Sequence, residues 1–140
     1  KRYKRFFVDV CVKNKIVTAH CPNSGSMMGL LKKNNNVGVV GLLDVNGPKN
    51  LFTQSIVHKT HFDIFRFYFH HDLKNWFCDH FITELYGSVN RAFPLKHRII
   101  NSGGPPRYEI DYCFDRCKEL VKLSLSQLRS YITFRTINVQ

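Results

Sequence analysis

A chain of 140 residues has room for one domain, or two small ones sharing a boundary, and excludes a large multidomain enzyme. Its 21 Lys and Arg against 10 Asp and Glu give a formal charge of +11, which favours polyanions or anionic surfaces as partners. With 44% hydrophobic and 14% aromatic residues the chain can build a core, which excludes a disordered basic tail.

Phe6 to Val12 alternates apolar positions, and a polar Lys13-Asn14-Lys15 turn leads into Ile16 to Ala19, which predicts a hairpin. Cys21 to Gly29 is turn material, Lys32 to Asn36 is a polar loop, and Val37 to Val40 reads as another strand before the Asn46-Gly47-Pro48 break. Short strands at such close spacing predict a small barrel. Phe65, Phe67 and Phe69 alternate with Arg66, Tyr68 and His70, which predicts a strand. Leu73, Trp76, Phe77, His80, Phe81 and Leu85 recur at three and four residues, so Asp72 to Leu85 is predicted helical with a stop at Gly87. After the Ser102 to Pro106 loop, Tyr108 to Phe114 resumes strand-like alternation. Leu120 to Leu128 fits strand or helix, and Tyr131 to Val139 reads as a strand.

The charge is uneven, at +7 over residues 1–36, −1 over 37–90 and +5 over 91–140. Lys1, Arg2, Lys4 and Arg5 lie beside Tyr3, Phe6 and Phe7, the mixture of phosphate contacts and stacking rings that single-strand binders use. His20, Asn23, Ser24 and Gly25 form a loop able to offer donors to a phosphate, and Lys32 and Lys33 extend the basic track. Ordinary turn chemistry explains the same loop, and a solvated face explains the lysines. Five cysteines form no paired framework and no secretory leader precedes them, which predicts a cytoplasmic protein. No run of about eighteen apolar residues predicts a membrane span. The start at Lys1 points to an excised, processed or incomplete sequence.

The opening R-Y-K-R-F-F-V-D-V, followed by T-A-H-C-P-N-S-G-S-M-M-G, resembles the amino-terminal region of the bacterial sugar fermentation stimulation protein A family. Arg2, Arg5, Phe6, Asp9 and Val10, then His20, Cys21, Pro22, Asn23, Gly25 and Met27, carry the match. The resemblance implies a mostly β oligonucleotide-binding-type small barrel followed by a partial α/β restriction-endonuclease-like domain. It also implies sequence-nonspecific DNA binding and a link to maltose regulation. On this reading residues 1–48 form the binding module, 49–83 a divergent connection and 84–140 a nuclease-like remnant.

Within that remnant R-Y-E-I-D-Y (107–112) resembles the family's Arg-Ile-Asp strand, which implies Asp111 as a metal-binding aspartate. C-K-E-L-V-K (117–122) resembles the segment ending in a Glu-x-Lys pair, but Leu120 stands where the glutamate belongs and Glu119 falls one residue early. In a strand that is the opposite face. Asp111 and Glu119 as Mg²⁺ ligands, with Lys122 assisting water, make up the candidate catalytic set, present in broken form. Their ordinary alternative is a set of solvated or ion-paired surface groups. A Cys113-Cys117 pair with Cys78 and His80, or with His70-His71, is the candidate zinc set, set against free cysteines as core filler. Three readings follow: a nonspecific DNA-binding protein, a metal-dependent DNA nuclease, or an inactive remnant. Self-association through the aromatic-rich middle is a further expectation.

Overall fold

The computed structural model describes the backbone of residues 2–3, 7–12 and 15–20, and backbone and side chains of 31, 34–74, 76–100, 109 and 111–137. Strands β1 (Arg2–Tyr3), β2 (Phe7–Val12) and β3 (Lys15–His20) form an antiparallel sheet in the order β1-β2-β3. Val12 pairs with Lys15 and Phe7 with His20, which is the hairpin that the alternation predicts.

The second sheet has the order β5-β4-β6, from β4 (Val39–Asp44), β5 (Phe52–Val57) and β6 (Ala92–Ile99). It takes one strand from each of the three sequence segments. β5 runs antiparallel to β4, whereas β6 runs parallel to it. A parallel neighbour requires a crossover, and the chain makes it through β5, helix α1 (Thr60–Phe65) and helix α2 (Cys78–Gly87). Helix α3 (Phe114–Ile137) follows. At the centre of the sheet a Cβ on Gly41 would lie 2.3 Å from Cγ of Phe52, so only glycine lets that ring pack over the strand.

The core gathers on the two longer helices. α2 buries Phe81, Ile82, Leu85 and Tyr86 on one face. α3 buries Cys117, Leu120, Val121, Ser124 and Leu128, a spacing of three and four residues that only a helix brings into one stripe. Val37, Val39, Phe52, Ile64, Phe65 and Leu73 complete the cluster. Each fully buried side chain of this size contributes about 1.5–3 kcal/mol of transfer free energy.

Four sequence expectations are corrected here. No barrel closes among the described residues: each of the two three-stranded sheets keeps two edges, and a barrel needs a continuous staggered ring of strands. Among the described residues the carboxy-terminal segment holds the end of α2, strand β6 and a 24-residue helix rather than a restriction-endonuclease-like remnant. The strand expected over Phe65 to Phe69 is instead the end of α1, where Arg66 turns left-handed (φ 65°) and its amide bonds to Phe62 O at 2.9 Å. Tyr131 to Ile137 is helical, because Tyr131 and Ile132 continue the Leu128 stripe against the core.

The aromatic-rich middle turns largely inward. Phe65 and Phe81 are buried, Phe67 stacks on Phe65 at 5.8 Å, and Phe62 remains 44% exposed. Among the described residues no helix is long and apolar enough to cross a membrane.

Candidate metal centre

The segment from Arg66 to Leu73, between α1 and α2, carries His70, His71 and Asp72 on an aromatic scaffold. Burial lowers the His61 pKa to about 4, so its ring is neutral at physiological pH. Nε2–H donates to Tyr68 O at 3.0 Å, and Nδ1 accepts the Tyr86 hydroxyl at 2.8 Å. The Tyr68 hydroxyl donates to Ser55 O at 2.8 Å, which ties the segment to β5. At its other end Leu73 is buried, its amide bonds to His70 O at 2.9 Å, and its carbonyl accepts the Cys78 thiol at 3.3 Å.

His70, His71 and Asp72 follow one another on this anchored backbone. Their ligand-capable atoms all lie within 4.8 Å of one another, the one such group of three or more among the described residues. The two imidazoles stack at 4.4 Å between centroids, and His70 also packs edge-on to Phe67 at 5.0 Å. Burial and the neighbouring His71 lower the His70 pKa, which keeps that ring neutral. Arg116 donates to Asp72 Oδ2 at 2.6 Å and holds the carboxyl below its ordinary range. A neutral His70 ring and an ionised Asp72 carboxylate are protonation states that metal binding requires. Two nitrogens and one oxygen suit Zn²⁺ or Mn²⁺ better than Mg²⁺, which prefers oxygen ligands.

The expected site residues fall in several places. Arg2 lies on β1 and His20 on β3, both backbone-paired to β2 at adjacent register positions. Lys4, Arg5, Asn23, Ser24, Lys32 and Lys33 lie outside the described residues. Asp111 is exposed ahead of α3, and Glu119 and Lys122 are exposed on it. Because 117–122 is helical, a one-residue offset rotates a side chain by about 100° rather than to the opposite face. Arg116 bonds Glu119 at 2.6 Å as well as Asp72, so Glu119 reaches the edge of the His-His-Asp group through that guanidinium.

The zinc set built on Cys78, Cys113 and Cys117 does not form a three-ligand group among the described residues. Cys117 is buried, its thiol bonds to Phe77 O at 3.6 Å, and burial pushes its pKa up to about 12. His80 packs against Phe77 and Phe114. Asp72 is the member that sequence reasoning missed, although the contiguous His70-His71-Asp72 run was there to find.

Residues 1–64 match the family model described as "SfsA N-terminal OB domain". The amino-terminal part of the chain is therefore similar to the sugar fermentation stimulation protein family. It is similar to homologues from Pelagibacter ubique (67% identical over 39 residues) and Prochlorococcus marinus (55% over 40), each match covering 28% of this chain. A homologue from Nostoc punctiforme is 64% identical over 31 residues, or 21% of the chain. The matched stretches span 17%, 16% and 13% of those relatives, so the chain covers less than a fifth of the length of the family members it matches. No solved structure matches the chain.

Proposed function

We propose that this chain binds a divalent metal ion through His70, His71 and Asp72 and acts there on nucleic-acid phosphodiesters. The observation that carries the reading is the convergence of the three ligand atoms within 4.8 Å on an anchored segment. A bound metal would act as a Lewis acid on a phosphoryl oxygen. The chain's own contribution is the donor set and Arg116, whose guanidinium already holds a carboxylate at 2.6 Å and presents the fork geometry that suits a phosphate equally well. The His71 side chain is 78% exposed, so the site lies open to an extended polymer.

The experiment is titration of the intact chain with Zn²⁺ and Mn²⁺ by calorimetry, followed by incubation of labelled single- and double-stranded DNA with each metal. One equivalent of bound metal and metal-dependent cleavage, both lost in His71→Ala, are expected. Uncut DNA under all metals would overturn the nuclease reading, and absence of stoichiometric metal would overturn the site.

A second reading, sequence-nonspecific DNA binding, rests on one observation of α3. Lys118, Lys122 and Arg129 are exposed and spaced by four and seven residues, so the three cations share one helix face. Such a row tracks a phosphate backbone without reading bases. Binding that weakens steeply with salt, and equally for unrelated sequences, supports it; salt-independent binding removes it.

A further inference from the structure

A second candidate site is lined by residues of α2, β4, the β4–β5 turn and the start of β6, and shares none with the His70-His71-Asp72 group. The pairing of β4 with β6 jumps from Gly41↔Pro94 to Leu43↔Arg98, so β6 carries two extra residues beside Leu43. A cavity of about 720 Å³ opens there. That volume falls within the roughly 300–1,000 Å³ typical of small-molecule sites. Its apolar walls are Leu43, Leu51, Phe52 and Ala92, and Phe52 is fixed in place because its amide donates to Thr83 Oγ1 at 3.3 Å.

Two residues of opposite charge line this cavity from different elements. Lys49 comes from the β4–β5 turn and Glu84 from α2. Among the described residues neither side chain has an ion-pair partner within 4.0 Å, the two not pairing with each other. A cavity with apolar walls, one cationic and one anionic residue, and polar groups of Asn50, His80, Thr83 and Ser88 beside them complements a ligand that has an apolar body, a carboxylate and an ammonium group. We propose that the cavity between α2 and the β4–β5 turn binds a short apolar peptide with free termini, its carboxylate toward Lys49 and its ammonium toward Glu84.

Gly87 supplies a clean way to test this, because it lines the cavity and a Cβ placed there meets nothing within 4 Å. The probe is the dipeptide Leu-Phe, measured by calorimetry on the full chain beside N-acetyl-Leu-Phe, which lacks the ammonium, and Leu-Phe-amide, which lacks the carboxylate. One saturable site is expected for Leu-Phe, with each blocked peptide at least tenfold weaker. Gly87→Trp should abolish binding with an unchanged unfolding transition. Lys49→Met should erase the preference for Leu-Phe over the amide, and Glu84→Gln the preference over the acetylated form. Absence of Leu-Phe binding at millimolar concentration overturns the proposal, as does binding that survives Gly87→Trp or ignores both charge changes. The metal reading is independent: His71→Ala should leave dipeptide binding intact.

Discussion

The Tyr86 hydroxyl lies 2.8 Å from Nδ1 of His61, and this contact fixes the tautomer of a ring that the fold cannot charge. The same ring carries the Tyr68 carbonyl, so the network joins α1, α2 and the segment that presents the metal ligands.

Stability should respond to pH through groups that oppose each other, with His61 and His70 on one side and Asp79 on the other. Between pH 6.5 and about 4 the unfolded chain protonates residue 61 while the folded chain does not, so His61 makes stability fall as pH drops through that window. Burial raises the Asp79 pKa from 3.8 to about 6, so the folded chain keeps a proton that the unfolded chain loses, and Asp79 makes stability fall as pH rises through the same range. In the wild type the Asp79 slope should therefore offset part of the histidine slope from pH 4.5 to 6. Asp79→Asn should remove one slope, raise stability at pH 7 by about 1–2 kcal/mol after discounting for partial exposure, and uncover the histidine slope. Urea melts across that pH range check the sign; a flat profile in the variant contradicts it.

Arg116→Ala should separate metal binding from phosphate engagement. Removing the guanidinium releases Asp72 Oδ2 and takes a positive charge away from the ion's site, so divalent-metal affinity should rise. DNA cleavage or binding should fall severalfold, because the phosphate partner is gone. The ion pairs are exposed, so global stability should change by less than about 1 kcal/mol. Calorimetry with Mn²⁺ beside a DNA-binding assay measures both directions in one variant.

Replacing Lys118, Lys122 and Arg129 together with Ala should weaken DNA binding uniformly across sequences and reduce the salt slope by about 2–3. Fluorescence anisotropy at several salt concentrations reads both quantities. An unchanged slope would remove α3 from the interface.

Core and helix make a structural test. Leu85→Ala should cost about 2–5 kcal/mol, since the side chain is fully buried, whereas exposed Leu123→Ala should stay within about 0.5 kcal/mol. Thr133→Pro should cost about 3 kcal/mol, because it falls inside α3. Chemical denaturation of the three variants gives the comparison.

Local periodicity made part of this fold legible. The β2–β3 hairpin and α2 were both visible in the spacing of apolar residues, although α2 begins at Cys78 because Phe77 adopts a left-handed conformation (φ 62°). Alternation misled where the partner was distant. Phe65, Phe67 and Phe69 read as a strand, yet Arg66 reverses the chain and the rings fold back around His61. The candidate centre is half legible: His70 and His71 stand out as ligands in the sequence, but local spacing pairs them with cysteines. Asp72 gains its meaning from Arg116, 44 residues further along, a relationship that no local pattern encodes.

The parallel placement of β6 beside β4 also governs how the molecule is made. As the ribosome extends the chain, β4 and β5 can zip together at once, but the other side of β4 stays bare until Ala92–Ile99 has emerged. That interval leaves an apolar strand margin open to pairing with a neighbouring nascent chain, so yield should improve with slower translation or a chaperone that shields the margin.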